Sequence, residues 1–282
     1  MHILSFDIEH WYESWRSRGL TGYEGFSDCD TAVVYRLLDL LETTKHKATF
    51  FFTGHFAREF PATVRACVER GHEAASHSDQ HIFLPDFASV DAITEDIRRC
   101  VDSIAQISGK PVQGFRAPKW SLTPALEPDV LSALVGLGLT YDSSFFPSRQ
   151  AGGRLAVPHR LLLPGGGSIC EVPATALRAG PLLLPAGGAY FRLFPFFVTR
   201  RIFTHCEKNA LPGVMYGHPY DYNPECHIVP GSGLFLTLMR TVGVKNALPK
   251  LEKLLRTFRF TSMELWLQEH ASTLPEVSLR QE

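Results

Sequence analysis

The chain reads as an α/β protein in which parallel strands alternate with helices, arranged as a barrel or an open sheet. Short apolar runs and amphipathic segments of 3.6-residue period follow one another about five times in the first half. A polar, ionisable cluster falls at the end of several of these strands, and no internal repeat interrupts the order. Ligand chemistry in such folds gathers at the carboxyl ends of the strands.

Residues 3–9, ILSFDIE, form the first predicted strand. Alternation places Leu4, Phe6 and Ile8 on one face and Ser5, Asp7 and Glu9 on the other;. Two like-charged carboxylates on one face call for a cation or a proton between them. A helix follows with Val33, Val34, Leu37, Leu38, Leu40 and Leu41 on its apolar side, and Asp30 or Thr31 as its cap;. ATFFFT at 48–53 is a fully apolar strand;. Pro61 opens the next helix and Gly71 stops it;. Residues 73–76 are the third strand, which puts His77 and His81 on the loop that leaves it.

Val90, Ile93, Ile97, Val101, Ile104 and Ile107 mark a long helix with Ser89 near its start. A strand at 112–115 ends in Arg116, a helix spans 124–137, and a strand spans 139–142. Residues 145–195 carry PGGG and PAGG and read as long loops with short strands;. Helical character returns over 196–209, VMYGH at 214–218 is a late strand ending on a histidine, and helices follow at 233–240 and 246–256. A last strand is expected at 259–263 and a frayed polar tail at 272–282;.

Composition narrows the classes. Hydrophobic residues make up 45 % and charged residues 20 % of 282 residues, with a net charge of −1. This is a globular balance, without the basic runs that track a phosphate backbone, and it argues against a nucleic-acid partner. The N-terminus lacks the features of a signal peptide and no segment has the uninterrupted apolar length of a spanning helix, so the expected location is cytoplasmic;. The six cysteines make no C-x-x-C pair and are expected to be reduced thiols;. Cys226 beside His227 is either a ligand pair or part of a surface loop.

The stretch GHEAASHSDQH at 71–81 presents two histidines four apart, and two neutral imidazoles at that spacing can share one divalent ion;. Taken with SFDIEHW, FRAPKWS, YDSSFFP and YGHPYDY in that order, HSDQH resembles the second of five motifs of the polysaccharide deacetylase family of carbohydrate esterases, the NodB-homology family. PAGGAYFRLFPFFVTR and FRFTSMEL resemble the branch tied to bacterial exopolysaccharide and surface-glycan clusters. The resemblance implies a distorted or incomplete (β/α)7-type barrel, a catalytic domain over 1–271 with core motifs to 222 and a C-terminal extension over 223–271.

It further implies metal-dependent removal of an N-acetyl group from an amino sugar that is nucleotide-linked, lipid-linked or part of an oligosaccharide. His77 and His81 would hold Zn²⁺, or Co²⁺, Mn²⁺ or Ni²⁺. Asp7 would be the base, His218 the acid, and Arg116 would orient Asp7. Many relatives carry a second aspartate directly after the first, where this chain has Ile8. The D-x-E spacing makes Glu9 the third ligand, with His10 as the alternative. Asp142 either supports His218 or only caps a strand end.

Trp11, Trp120, Tyr220 and Tyr222 either stack on sugar rings or pack in the core. Lys119 reads as solvated, His72 as a turn residue, and His55, His159, His205 and His227 have no motif context. A related C–N hydrolase, such as a deformylase or ring-amide hydrolase, and a non-catalytic glycan-binding module are the competing functions.

Overall fold

In the computed structural model, which describes residues 1–16, 19–23, 30–147, 155–225 and 227–279, the alternation predicted from sequence becomes one mixed sheet wrapped by helices. The strands are β1 (His2–Ile8), β2 (Thr49–Phe52), β3 (Glu73–Ser76), β4 (Gly114–Phe115), β5 (Tyr141–Asp142), β6 (His159–Leu162), β7 (Ser168–Glu171), β8 (Ala176–Ala179), β9 (Leu182–Pro185), β10 (Val214–Gly217), β11 (Phe260–Thr261) and β12 (Glu276–Ser278). The helices are α1 (Glu13–Arg16), α2 (Thr31–Thr44), α3 (Gly54–Glu59), α4 (Pro61–Glu69), α5 (Val90–Ser108), α6 (Glu127–Gly136), α7 (Gly188–Leu193), α8 (Phe196–Lys208), α9 (Gly233–Thr241), α10 (Ala247–Thr257) and α11 (Met263–His270).

Strand order is β10-β1-β2-β3-β4-β5-β7-β6-β12, with β11 pairing the start of β1 and β8–β9 forming a separate ribbon. Pairing along the main path is parallel except between β6 and β7. The sheet does not close, so the expected incomplete (β/α)7-type barrel is an open one. Among the described residues no helix is long and apolar enough to cross a membrane.

Strand alternation sorts the two faces as the sequence pattern requires. Leu4, Phe6, Ile8, Phe50, Phe52 and Phe115 pack outward with Val33, Leu37, Val64, Ile97 and Leu131 of the surrounding helices. Ile3, Phe51, Ala75, Tyr141 and Val214 point inward, and α11 covers them with Met263, Trp266 and Leu267. The covering is anchored by a polar knot. Thr49 Oγ1 and Tyr141 Oη each donate to Glu73 at 2.6 Å, and Glu73 also accepts the Glu264 N–H at the start of α11 at 3.0 Å. Burial pushes the Glu73 carboxyl up to about 7;. With one end of the inner face filled this way, the other end, where the parallel strands terminate, is left for chemistry.

Several expected boundaries shift. The strands expected at 112–115 and 139–142 pair only over Gly114–Phe115 and Tyr141–Asp142, and the strand at 259–263 ends at Thr261 because Ser262 caps α11. Asp30 sits at the α2 cap position but makes no cap hydrogen bond; its carboxylate accepts the Trp11 N–H instead, at 2.6 Å. The tail is not wholly frayed: β12 pairs in parallel with β6, and Val277 and Leu279 pack on the core. Polar composition hid a strand whose alternate residues are apolar. Cys67, Cys100, Cys170 and Cys206 are buried free thiols, whereas Cys29 and Cys226, and with Cys226 the pairing suggested for it with His227, lie outside the described residues.

Gly114 occupies a place no side chain fits, since a Cβ there would lie 1.9 Å from the Tyr141 ring. Gly114→Ala is therefore expected to lower stability by about 1–3 kcal/mol through overpacking, read as a lower urea midpoint. An unchanged midpoint would contradict the packing described for β4 and β5.

Candidate functional site

Five strand ends converge. Asp7 and Glu9 come from β1, His77 follows β3, Arg116 follows β4, Ser143 and Ser144 follow β5, and His218 follows β10. Because these strands are neighbours in the sheet, residues far apart in sequence share one rim.

Arg116 is the hub. Its fully buried guanidinium donates to Asp7 Oδ1 at 2.5 Å, to Ser5 Oγ and Ser143 Oγ at 3.0 Å each, and through Nε to the Ser143 carbonyl at 3.3 Å. The Phe51 ring lies beneath it, 4.2 Å from Cζ to centroid;. Asp7 is thereby held by one oxygen, and its Oδ2 faces His218 Nε2 at 3.8 Å.

His77 Nδ1 donates to the Arg116 carbonyl at 2.7 Å. A carbonyl only accepts, so Nδ1 carries the proton and Nε2 keeps its lone pair for a ligand. Glu9 Oε2 meets His81 Nε2 directly, and Tyr220 Oη donates to Glu9 Oε1 at 3.1 Å. One donor atom from each of Glu9, His77 and His81 lies within 4.8 Å of the other two, all three residues being buried. Two imidazoles and a carboxylate are the donor set of an open divalent-metal site. Burial by itself would raise the Glu9 carboxyl, but the imidazoles of His81, His218 and His77 hold it below the usual carboxylate range. Burial lowers His77 to about 4, which keeps its ring neutral and able to ligate;.

The loop that carries the histidines is held in an unfavourable backbone form, with Ser78 at φ 66° and His81 at φ 54°;. Ser78 Oγ accepts the His81 N–H at 3.1 Å, and Arg58 clamps Asp79 at 2.5 and 3.0 Å. Those contacts bring His81 back over the rim beside His77. Ile8, directly after Asp7, is fully buried among apolar side chains. Glu9 shares the cluster with His77 and His81; His10 lies instead beside His55 and Glu59.

On the acid side, Asp142 and His218 do not meet. Asp142 accepts from Ser144 Oγ at 2.5 Å, and that hydroxyl in turn accepts the Ala117 N–H at 2.8 Å. Its place is behind the Arg116 loop. The carboxylate on His218 is Asp221, whose Oδ2 meets His218 Nδ1 at 3.0 Å and also accepts the His218 backbone N–H at 3.0 Å. Arg192 Nε donates to the other Asp221 oxygen at 2.8 Å. Burial would raise Asp221, but Arg192 and His218 hold it below the carboxylate range. Burial would lower His218, but the hydrogen bond and charge of Asp221, with Glu9 and Asp7, raise it above 6.5. The sequence signal was present in HPYD, a reciprocal cap spacing closed by a proline at the first position;.

Of the flagged aromatics, Trp11 and Tyr222 are core residues. Trp120 and Tyr220 line a groove of about 220 Å³ with Trp15, Tyr190, Tyr216 and His218. Tyr220 stacks on the His218 ring at 4.6 Å and 10°. Lys119 places Nζ 4.9 Å from the Phe83 ring centroid. His72 accepts the Ala48 N–H at 3.3 Å, a packing role.

Comparison with known proteins finds matches over both halves of the chain. Residues 22–141 match the family described as Polysaccharide deacetylase, and residues 143–268 match a domain of unknown function (DUF3473). The second match holds His218, Asp221 and Arg192, so the site spans both. A Mycobacterium smegmatis protein provisionally named a polysaccharide deacetylase has a similar fold, with a TM-score of 0.71, 18 % identity, and 99 % of this chain and 93 % of that one covered. A chitin deacetylase from Pestalotiopsis is 35 % identical over 118 residues, 40 % of this chain and 37 % of that protein. A peptidoglycan-N-acetylmuramic acid deacetylase from Bacillus subtilis is 30 % identical over 77 residues, 27 % of this chain and 28 % of that protein. The chain thus spans less than half the length of these two relatives.

Arg116→Met leaves Asp7 buried without its cation and is expected to cost about 3–5 kcal/mol of unfolding free energy. Adding Asp7→Asn in the same chain should recover part of that loss, as measured by a double-mutant cycle in urea. Strictly additive effects would show that the two residues are not coupled.

Proposed function

We propose that this chain, a member of the polysaccharide deacetylase family, is a metal-dependent hydrolase that removes the N-acetyl group of an amino sugar in surface-glycan biosynthesis. The observation that carries the reading is the convergence on one rim of the Glu9, His77 and His81 donors with Asp7 and His218, whose facing atoms are 3.8 Å apart. Glu9, His77 and His81 would hold a divalent ion such as Zn²⁺, which when bound supplies polarisation of the acyl oxygen and acidification of water.

The protein's own residues divide the proton work. Asp7 is fixed through Oδ1 by Arg116, so its Oδ2 is oriented to take a proton as water attacks the amide carbonyl;. His218, locked by Asp221 with Nε2 turned to the same space, gives a proton to the amine as the C–N bond breaks;. Acetate and a free amino sugar result. The aromatic walls of Trp15, Trp120, Tyr190 and Tyr216 suit the apolar faces of sugar rings;. The activities in the names of the chitin and peptidoglycan deacetylases support an N-acetylated amino sugar as the substrate class.

Asp7→Asn should reduce acetate release by about 10²–10⁴-fold while leaving circular dichroism and metal content unchanged. Full activity would remove Asp7 from the role of base. Offering N-formyl and N-acetyl forms of the same oligosaccharide separates deacetylase from deformylase, and binding without release of either acid would favour a glycan-binding module.

The pH profile tests His218. Its acid form is needed, and Asp221 raises its pKa from the ordinary imidazole value, so activity should fall as pH rises through that raised value. Asp221→Asn removes the charge that raises that pKa and should move the alkaline limb to lower pH. A limb that stays in place would sever Asp221 from proton transfer.

A further inference from the structure

We propose a second divalent-cation site, built by His10, His55 and Glu59 on the outside of the β1 end, taking Zn²⁺ or an ion of similar softness. His10 is the residue after Glu9, past the end of β1, and its ring packs against His55 and Phe56 of α3 at 4.7 and 5.2 Å. His55 and Glu59 are four apart on α3 and so present donors from one helix face;.

The separations are those of ligands around an ion and not of hydrogen bonds. His10 Nε2 lies 3.4 Å from Glu59 Oε2, and His55 Nε2 lies 3.9 Å from the same oxygen. All three donor atoms fall within 4.8 Å of one another. Nitrogen–oxygen hydrogen bonds peak near 2.9–3.0 Å. Tetrahedral ligands about 2.0–2.1 Å from zinc stand roughly 3.3–3.4 Å apart, so modest closure would complete the set.

An independent observation comes from Glu13. It is fully buried, its Oε1 makes no hydrogen bond among the described residues, and that oxygen is aimed at His55 Nδ1 from 3.6 Å. A carboxylate behind the far nitrogen of an imidazole orients the ring and leaves Nε2 for an ion. The other Glu13 oxygen accepts the His10 N–H at 3.1 Å, tying the same residue to both histidines. Arg16 Nη2, 3.7 Å from Glu13 Oε1, offsets part of the negative charge. His55 and Glu59 are partly exposed, with side chains 43 % and 51 % accessible, so an ion can enter from solvent. Bound there, it would pin the loop leaving β1 to α3.

The test is metal stoichiometry on the whole protein, dialysed against Zn²⁺ and assayed by atomic emission. The wild type should hold two ions per chain. His77→Ala should hold one, and that ion should be lost in His77→Ala/Glu59→Gln and in His77→Ala/His55→Ala. Zn²⁺ should raise the melting temperature of His77→Ala but not of either double variant. One ion per chain in the wild type and none in His77→Ala would overturn the second site while leaving the first intact. A second ion that survives both double variants would place it elsewhere. Circular dichroism checks that each variant remains folded, since His77 is buried whereas His55 and Glu59 are partly exposed.

Discussion

The buried pair between Arg116 and Asp7 is the constraint on which the site depends. A guanidinium with no access to water is tolerable only when its donors are matched, and here they bind Asp7, Ser5 and Ser143 over the Phe51 ring;. Those partners come from β1, β2 and the segment after β5. One side chain therefore fixes the relative height of several strand ends. Its backbone carbonyl also sets the His77 tautomer, so Asp7, the proposed base, and His77, a proposed metal donor, are oriented by the same residue.

His218, the proposed acid, is held by a different part of the chain through a similar device. Pro219 and the Asp221 carboxylate close a tight turn after β10, and Arg192 on α7 neutralises that carboxylate. Arg192 also donates to the carbonyls of Val242 and Met239, at 2.7 Å each, at the end of α9. Residues 143–268 thus do more than extend the part of the chain that matches the polysaccharide deacetylase family. Arg192 holds the Asp221 carboxylate that meets His218, and Tyr190 of α7 with Leu236 and Met239 of α9 line part of the groove.

Much of this was legible in the sequence because strand periodicity is local. Leu4, Phe6 and Ile8 against Ser5, Asp7 and Glu9 needed only alternation, and the structure divides them between helix-facing core and rim. The order of the motifs located His77, His81, Arg116 and His218 at strand ends. Asp142 shows where local reading stops: a carboxylate at a strand end has several neighbours within reach, and only the fold reveals that Ser144 takes it while Asp221 faces His218. Arg192 was equally hidden, since its partner is 29 residues away and the intervening segment has no periodicity to follow. The β12 strand, half polar and near the chain end, gave no signal beyond alternation over three residues.

The central claim is that Glu9, His77 and His81 form one metal centre beside Asp7 and His218. Anomalous diffraction at the zinc edge from crystals grown with Zn²⁺ tests it most directly. The account predicts a peak bounded by one carboxylate oxygen of Glu9 and Nε2 of both histidines, at about 2.0–2.2 Å from each. No peak there, with zinc bound elsewhere on the chain, would contradict it.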